Sequence, residues 1–202
     1  MLGTKEYRVE GRDNMVYTKS PLQMIMNSLL ESRGRVWLTG TQPENRDKYA
    51  LILFRTRPNQ GKGQYIDLVS GELSPILFDD EQVVRGLDWA LADGANVRVI
   101  FNRGSNAEEA SRLLKRNNPH LYSLWVKESD NFKLYWSPIH LKQHFLAISG
   151  MGVIFEKPET DKSGIPWWAF YISDENLAEQ WKKRFDSYIE TGKLVELPLP
   201  PT

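Results

Sequence analysis

Three side chains that can carry positive charge lie around two apolar runs in the second half of the chain. Lys142 and His144 precede the run at residues 145–148, and Lys157 follows the run at residues 153–155. Alternate residues of a strand point to the same face, so Lys142 and His144 would lie side by side. Such groups can bind an anion. We expect the functional site here.

A tight turn joins the two apolar runs. The sequence Gly150-Met151-Gly152 separates them, which is typical of a hairpin between two buried strands. The hairpin would bring together the polar groups at its open end. A second interpretation stays open, in which His144 is a half-buried, hydrogen-bonded histidine and Lys142 is a solvated surface residue.

Residues 142–159, K-Q-H-F-L-A-I-S-G-M-G-V-I-F-E-K-P-E, resemble the active-site hairpin of the phospholipase D superfamily. The family pattern is H-x-K-x4-D, a turn, a second strand and G-S-x-N, and the apolar and turn positions agree with it. The family's His, Lys and Asp correspond to Lys142, His144 and Ser149. Its Gly, Ser and Asn correspond to Glu156, Lys157 and Glu159. The resemblance therefore implies a retained scaffold with a degenerate catalytic motif.

The resemblance also implies how a catalytic alternative would work. Enzymes of this superfamily attack phosphate with one histidine and protonate the leaving oxygen with another, so they need two copies of the motif. One copy per chain would require a homodimer with the site on its twofold axis. His140 and Lys142 form a literal H-x-K, but the Asp position then falls on Ala147, whereas starting from His144 puts Leu146 at the lysine position. In this alternative His144, Lys142 and His140 would be the catalytic residues.

The elements around the hairpin predict an α/β fold. Three amphipathic helices are predicted to start after Asp80, near Asn106 and after Asp174, which are capping residues. Strands are predicted at residues 65–69, 97–101, 121–126, 145–148, 153–155 and 167–172. The resemblance covers residues 65–194 and implies a single phospholipase D-like lobe. We expect a mixed sheet of roughly six to eight strands flanked by helices on both faces.

The chain is predicted to divide into an N-terminal extension, residues 1–60, and a main domain, residues 61–202, with a short proline-rich tail. The extension would contain a helix that begins at Ser20-Pro21 and two strands, at residues 35–39 and 49–55. We expect it to pack on the main domain.

A basic, glycine-containing loop follows the second of these strands. It carries Arg55, Arg57 and Lys62, and such a loop can bind phosphate through backbone N–H groups and cationic side chains. A solvated connector is the other interpretation. Together with the hairpin, the loop completes the candidate anion-binding set, which is Lys142, His144, Lys157, Arg55, Arg57 and Lys62.

Composition limits the classes of partner and cofactor. The 26 Lys and Arg balance the 26 Asp and Glu, so binding to nucleic acid or an anionic membrane would need a local patch. The chain has no cysteine, and its 3 histidines do not show metal-ligand spacing, so we expect no metal and no other cofactor. No apolar run approaches the roughly 20 residues that span a bilayer. We expect a cytoplasmic protein.

The function that these observations favour is a catalytically degenerate phospholipase D-like domain that acts as a binding or assembly module. The resemblance implies a homodimer and a role as a subunit of a nucleic-acid-processing or defence system, with a protein partner or nucleic acid bound. One alternative is a divergent phosphodiesterase or nuclease that is active as a homodimer. Another is an adaptor that binds lipid head groups at a membrane surface through the basic loop.

Overall fold

The structure is a computed structural model that describes residues 8–10, 35–40, 64–150, 152–156, 168–172 and 175–199. The strands in these ranges are Arg8–Glu10 (β1), Arg35–Gly40 (β2), Tyr65–Val69 (β3), Asn96–Phe101 (β4), Phe132–Trp136 (β5), Phe145–Ile148 (β6), Gly152–Glu156 (β7), Trp168–Ile172 (β8) and Val195–Glu196 (β9). The helices are Pro75–Phe78 (α1), Glu81–Ala92 (α2), Ala107–Asn117 (α3), Pro119–Lys127 (α4) and Glu175–Glu190 (α5). None of these helices is long and apolar enough to cross a membrane.

The described strands form one mixed sheet in the order β1-β2-β8-β7-β6-β3-β4-β5-β9. Strands β3, β4 and β5 are parallel to one another, and the other neighbours are antiparallel. The predicted α/β class, a mixed sheet flanked by helices, is confirmed. The described ranges contain nine strands because two short strands, β1 and β9, extend the sheet at its edges.

Each face of the sheet buries its own apolar core. Alternation along β4 sends Val99 to one core and Ile100 to the other. The first core lies under α1, α2, α3 and α4 and includes the fully buried Trp125. The second lies under α5, where Trp181 and Phe185 are buried against the sheet. Helices therefore cover both faces of the parallel part, as parallel sheets require.

The central hairpin forms as predicted. Strands β6 and β7 pair so that Phe145 lies opposite Phe155, and Ile148 lies opposite Gly152. Gly150 has a φ of 72° in the connecting turn, a conformation that glycine adopts without steric cost. The register places His144, the residue before β6, opposite Glu156, the last residue of β7.

Local capping signals locate the helices correctly. The Asn106 side chain accepts a hydrogen bond from the Glu109 backbone N–H at 2.8 Å, which caps α3. The Asp80 carboxylate accepts one from the Val83 backbone N–H at 3.2 Å at the start of α2. Gly94 follows α2 with a φ of 90°, a left-handed conformation that glycine commonly adopts just after a helix end.

The strand predicted at residues 121–126 is wrong, because this segment is part of α4. Pro119 is in the first turn of the helix, a position that proline favours. Leu121, Leu124 and Trp125 are buried, and their spacing of three and four residues is helical. The strand that follows β4 in the sheet is β5, which the sequence analysis missed.

Part of the predicted N-terminal extension joins the same sheet. Strand β2 pairs with β8 along five residue pairs, from Val36 opposite Ile172 to Gly40 opposite Trp168. The predicted helix after Ser20, the strand at residues 49–55 and the basic loop lie outside the described residues. The division into two domains stays a prediction.

Candidate functional site

The polar residues of the hairpin lie at the edge of the sheet where the parallel strands end. Strands β3, β4 and β5 run to this edge. Strand β6 is antiparallel to β3, with Phe145 opposite Val69, so β6 starts here and β7 ends here. Ligands of open α/β sheets bind outside the carboxyl ends of the parallel strands. This edge is therefore the place to search for a site.

A histidine and a carboxylate meet at the open end of the hairpin. The His144 Nδ1 lies 2.8 Å from the Glu156 Oε2, and the two side chains are 28% and 25% exposed. The strand register explains the contact, because the Glu156 backbone N–H donates to the His144 carbonyl at 2.9 Å. The carboxylate can orient the imidazole and balance its charge when the ring is protonated.

The other residues of the predicted site do not share this environment. Lys142 and His140 are exposed, and the residue between them, Leu141, is buried in the core under α5. Ser149 donates its backbone N–H to the Tyr65 carbonyl, at the opposite end of β6. The remaining anion-binding candidates, Lys157, Arg55, Arg57 and Lys62, lie outside the described residues.

A cavity of about 70 Å³ lies beside the His144 and Glu156 pair, and we call it the His144 cleft. Its lining is Leu68, Val69, Ser70, Ser74, Leu77, Phe78, His144, Phe145, Leu146, Ile154, Phe155 and Glu156. Most of the lining that the structure describes is apolar, and its polar side chains are two hydroxyls, one imidazole and one carboxylate. The described residues that line the cleft include no lysine or arginine. No group of three or more potential metal ligands occurs within the described residues.

The loop after β3 forms one wall of the cleft in a strained conformation. Leu73 is 1% exposed and has a φ of 51°, which is unfavourable by about 1 to 2 kcal/mol for a residue with a side chain. Its N–H donates to the Ser70 Oγ at 3.3 Å, and its carbonyl accepts from the Asn118 Nδ2 at 3.1 Å. Asn118 is itself 1% exposed, so the fold imposes this loop shape.

Gly71 lets two side chains approach the backbone of the same loop. A Cβ at this position would lie 3.3 Å from the His144 Nε2 and 3.5 Å from the Asn102 Oδ1. The first distance is tighter than ordinary packing, so the imidazole would have to shift slightly. Asn102 also donates to the Ile139 carbonyl at 3.4 Å, which joins the loop after β4 to the loop before β6.

These loop residues are not among the site residues predicted from the sequence. Ser70 and Gly71 directly follow a buried strand, and the ends of parallel strands carry ligand contacts, so a signal was present for them. Asn118 precedes a proline and gives no local signal, because its partner, Leu73, is 45 residues away in the chain.

A second polar cluster lies on the opposite face of the sheet, under α5. The Arg98 guanidinium donates to both oxygens of Asp67 at 2.7 Å and to Asp186 at 2.7 Å. Its plane also lies 4.6 Å from the centre of the Phe185 ring. The three charged groups connect β3 and β4 to α5, so their role is to join the helix to the sheet.

Burial changes the acidity of the groups in this cluster. Asp67 is fully buried, and desolvation raises its pKa to about 6 although the Arg98 hydrogen bonds oppose the rise. For Asp186, desolvation is outweighed by hydrogen bonds from Lys182 and Arg98, which lower its pKa. The pKa of Arg98 is raised, because its hydrogen bonds to Asp67 and Asp186 outweigh its burial. Arg98 therefore stays charged at all ordinary pH values.

Comparison with known proteins identifies the fold. No family model matches the chain, and no curated protein matches its sequence. One similar solved structure is TrmBL2, which is described as an archaeal chromatin protein with a novel mode of DNA binding. The two structures superpose with a TM-score of 0.53 and share 15% sequence identity, and the match covers 84% of this chain and 58% of TrmBL2. Another is the phospholipase D family member Nuc from Salmonella typhimurium, with a TM-score of 0.51 and 11% sequence identity. This match covers 80% of this chain and 97% of Nuc. The chain has a phospholipase D-like α/β fold.

Proposed function

We propose that the protein is a phospholipase D-like binding module that does not hydrolyse phosphodiesters and that takes its ligand in the His144 cleft. One observation carries the proposal. His144 stands where the resemblance places the family lysine, and a carboxylate, Glu156, lies 2.8 Å from its ring. A group that should attract phosphate is instead matched with negative charge.

Electrostatics support this proposal. Phosphodiester hydrolysis in the superfamily needs cations around the phosphate and two histidines, one as nucleophile and one as acid. Here Lys142 and His140 are exposed, and the described lining of the cleft has no lysine or arginine. The Glu156 carboxylate would repel a phosphate that approached the imidazole, most strongly where solvent is excluded.

A hydrolysis assay tests the proposal. Wild-type protein and the His144→Ala variant are incubated with bis-p-nitrophenyl phosphate and with single- and double-stranded DNA. We expect no product above the protein-free control for either protein. Cleavage by the wild type that is lost in His144→Ala would overturn the proposal.

The competing candidate is a phosphodiesterase that is active as a homodimer. One observation favours it, because an imidazole whose Nδ1 contacts a carboxylate is the arrangement found in many general bases. This candidate requires hydrolysis that disappears in His144→Ala, weakens in Glu156→Gln and persists in His120→Ala. His120 is a matched control because it also contacts a carboxylate, that of Asp79, but is exposed on α4. It further requires a dimer in light scattering.

DNA is a separate proposal for the partner, supported only by the likeness to TrmBL2, which is described as binding DNA. Fluorescence anisotropy with a labelled duplex at two salt concentrations tests it, since phosphate contacts make affinity fall as salt rises. Anisotropy that does not change at low salt would remove DNA as the partner.

A further inference from the structure

We infer that the His144 cleft binds a small organic cation, with its ammonium group against the Glu156 carboxylate and a short apolar body against the inner wall. This inference rests on the proposed function and adds a ligand class to it. The anion-binding role predicted for His144 would then not apply at the cleft.

Size limits the ligand. The cavity volume is about 70 Å³, and a water-sized group needs roughly 10 to 15 Å³ on this measure. The cleft therefore has room for roughly five to seven such groups. A four-carbon primary amine has the right size, whereas a nucleotide or a lipid head group would reach far outside the cleft.

The chemistry of the lining sets the sign of the ligand's charge. The inner wall is apolar, with Leu77, Phe78 and Ile154 among its residues. A charge that enters such a site must be paired there, because desolvation without a partner is costly. Glu156 is the carboxylate among the described residues of the lining, and no described lysine or arginine lines the cleft to pair with an anion. A carboxylate has about four acceptor sites, so it can accept from an ammonium group in addition to contacting His144 and its other neighbours.

The positions of the polar groups are fixed before a ligand arrives. The Glu156 Oε2 lies 2.8 Å from the His144 Nδ1, and the Ser70 Oγ accepts from the Leu73 N–H while that residue is in a strained conformation. Strained backbone that the surrounding structure enforces is concentrated at ligand sites. A small ligand that contacts Glu156 and the Ser70 hydroxyl would therefore bind with little loss of conformational entropy in the protein.

The test titrates the full chain with n-butylammonium, 1-butanol, butyrate and inorganic phosphate, followed by isothermal calorimetry and methyl NMR. We expect butylammonium to bind with shifts at Leu77, Leu146 and Ile154, which line the cleft. The isosteric alcohol should bind at least about tenfold more weakly, since a hydrogen bond to a charged group is worth about 1.5 to 3 kcal/mol. Butyrate and phosphate should give no shifts at these methyl groups.

Two matched variants locate the cation. Glu156→Gln should weaken butylammonium binding about tenfold or more, while Glu108→Gln, an exposed glutamate on α3, should leave it unchanged. If Glu156→Gln does not fold, the methyl shifts of the wild type with the four probes still show whether the cleft binds the cation more tightly than the alcohol or the anions.

The outcomes separate this inference from the proposed function. No saturable butylammonium binding, equal affinity in Glu156→Gln, or stronger binding of phosphate or butyrate at the cleft would each overturn the small-cation inference. None of these results affects the absence of hydrolysis, which is measured with phosphodiester substrates. Hydrolysis lost in His144→Ala would overturn the proposed function even if butylammonium bound.

Discussion

The surroundings of Asp67 determine the pKa of its carboxyl group. It lies in the central strand β3 with its carboxylate fully buried, and desolvation raises its pKa to about 6. A raised pKa means that the folded protein binds this proton more tightly than the unfolded chain does. The contribution of Asp67 to the free energy of unfolding therefore falls as the pH rises from about 4 through the folded pKa.

This effect is measurable by comparing wild type with Asp67→Asn in urea unfolding. Between pH 4 and pH 7 the free energy of unfolding of the wild type, relative to that of Asp67→Asn, should fall by about 2 kcal/mol, since each pKa unit corresponds to 1.36 kcal/mol. NMR should show the Asp67 carboxyl titrating with a pKa of about 6.

Asp186 provides the matched control for this measurement. Its pKa is lowered, so the stabilisation it contributes is present above its ordinary pKa and is lost only at lower pH. The difference between wild type and Asp186→Asn should therefore change much less from pH 4 to pH 7, and the residual change arises because the Asp186 charge also raises the pKa of Asp67. An equal pH dependence for both variants would contradict the raised pKa of Asp67.

At the scale of elements, Asn118 connects the junction of α3 and α4 to the loop that lines the cleft. Its Nδ2 donates to the Leu73 carbonyl at 3.1 Å in a buried site. We expect Asn118→Ala to lower the free energy of unfolding by about 1 to 3 kcal/mol, because a buried carbonyl loses its partner.

Urea denaturation measures this loss, and Asn96→Ala is the control because Asn96 is exposed on β4. The control should change the stability by less than about 0.5 kcal/mol. Equal free energies of unfolding for the two variants would mean that the hydrogen bond from Asn118 to Leu73 contributes nothing to the stability of the protein.

At the scale of the whole molecule, the pairing of β2 with β8 joins the N-terminal part of the chain to the main sheet. Removing residues 1–40 would leave the backbone of Trp168–Ile172 unpaired on one side. Unpaired edge strands associate with other chains, so we expect this shortened protein to form larger species than the full chain.

Light scattering measures that difference. A protein that lacks only residues 1–7 keeps β1 and β2 and should behave like the full chain. An unchanged mass after removal of residues 1–40 would show that β8 needs no cover from β2, and would favour a main domain that folds without those residues.

The sequence by itself determined the fold class, the central hairpin and the starts of α2, α3 and α5. Each of these depends on short-range signals, such as the glycines around the hairpin turn and the Asn106 cap of α3, which act within a few residues. The segment that became α4 was predicted wrongly because a short apolar run suits a buried strand and a buried helix equally well. Packing against α2 and β5, and the proline in its first turn, made it a helix.

Tertiary structure alone decided the chemistry of the site. Glu156 contacts His144 through the register of two strands, and Arg98 contacts Asp67 and Asp186, which are 31 and 88 residues away in the chain. Such contacts depend on where the chain returns in space, and no local pattern encodes that. The charge, size and apolar lining of the His144 cleft follow from the same long-range contacts, so they could be determined only from the folded chain.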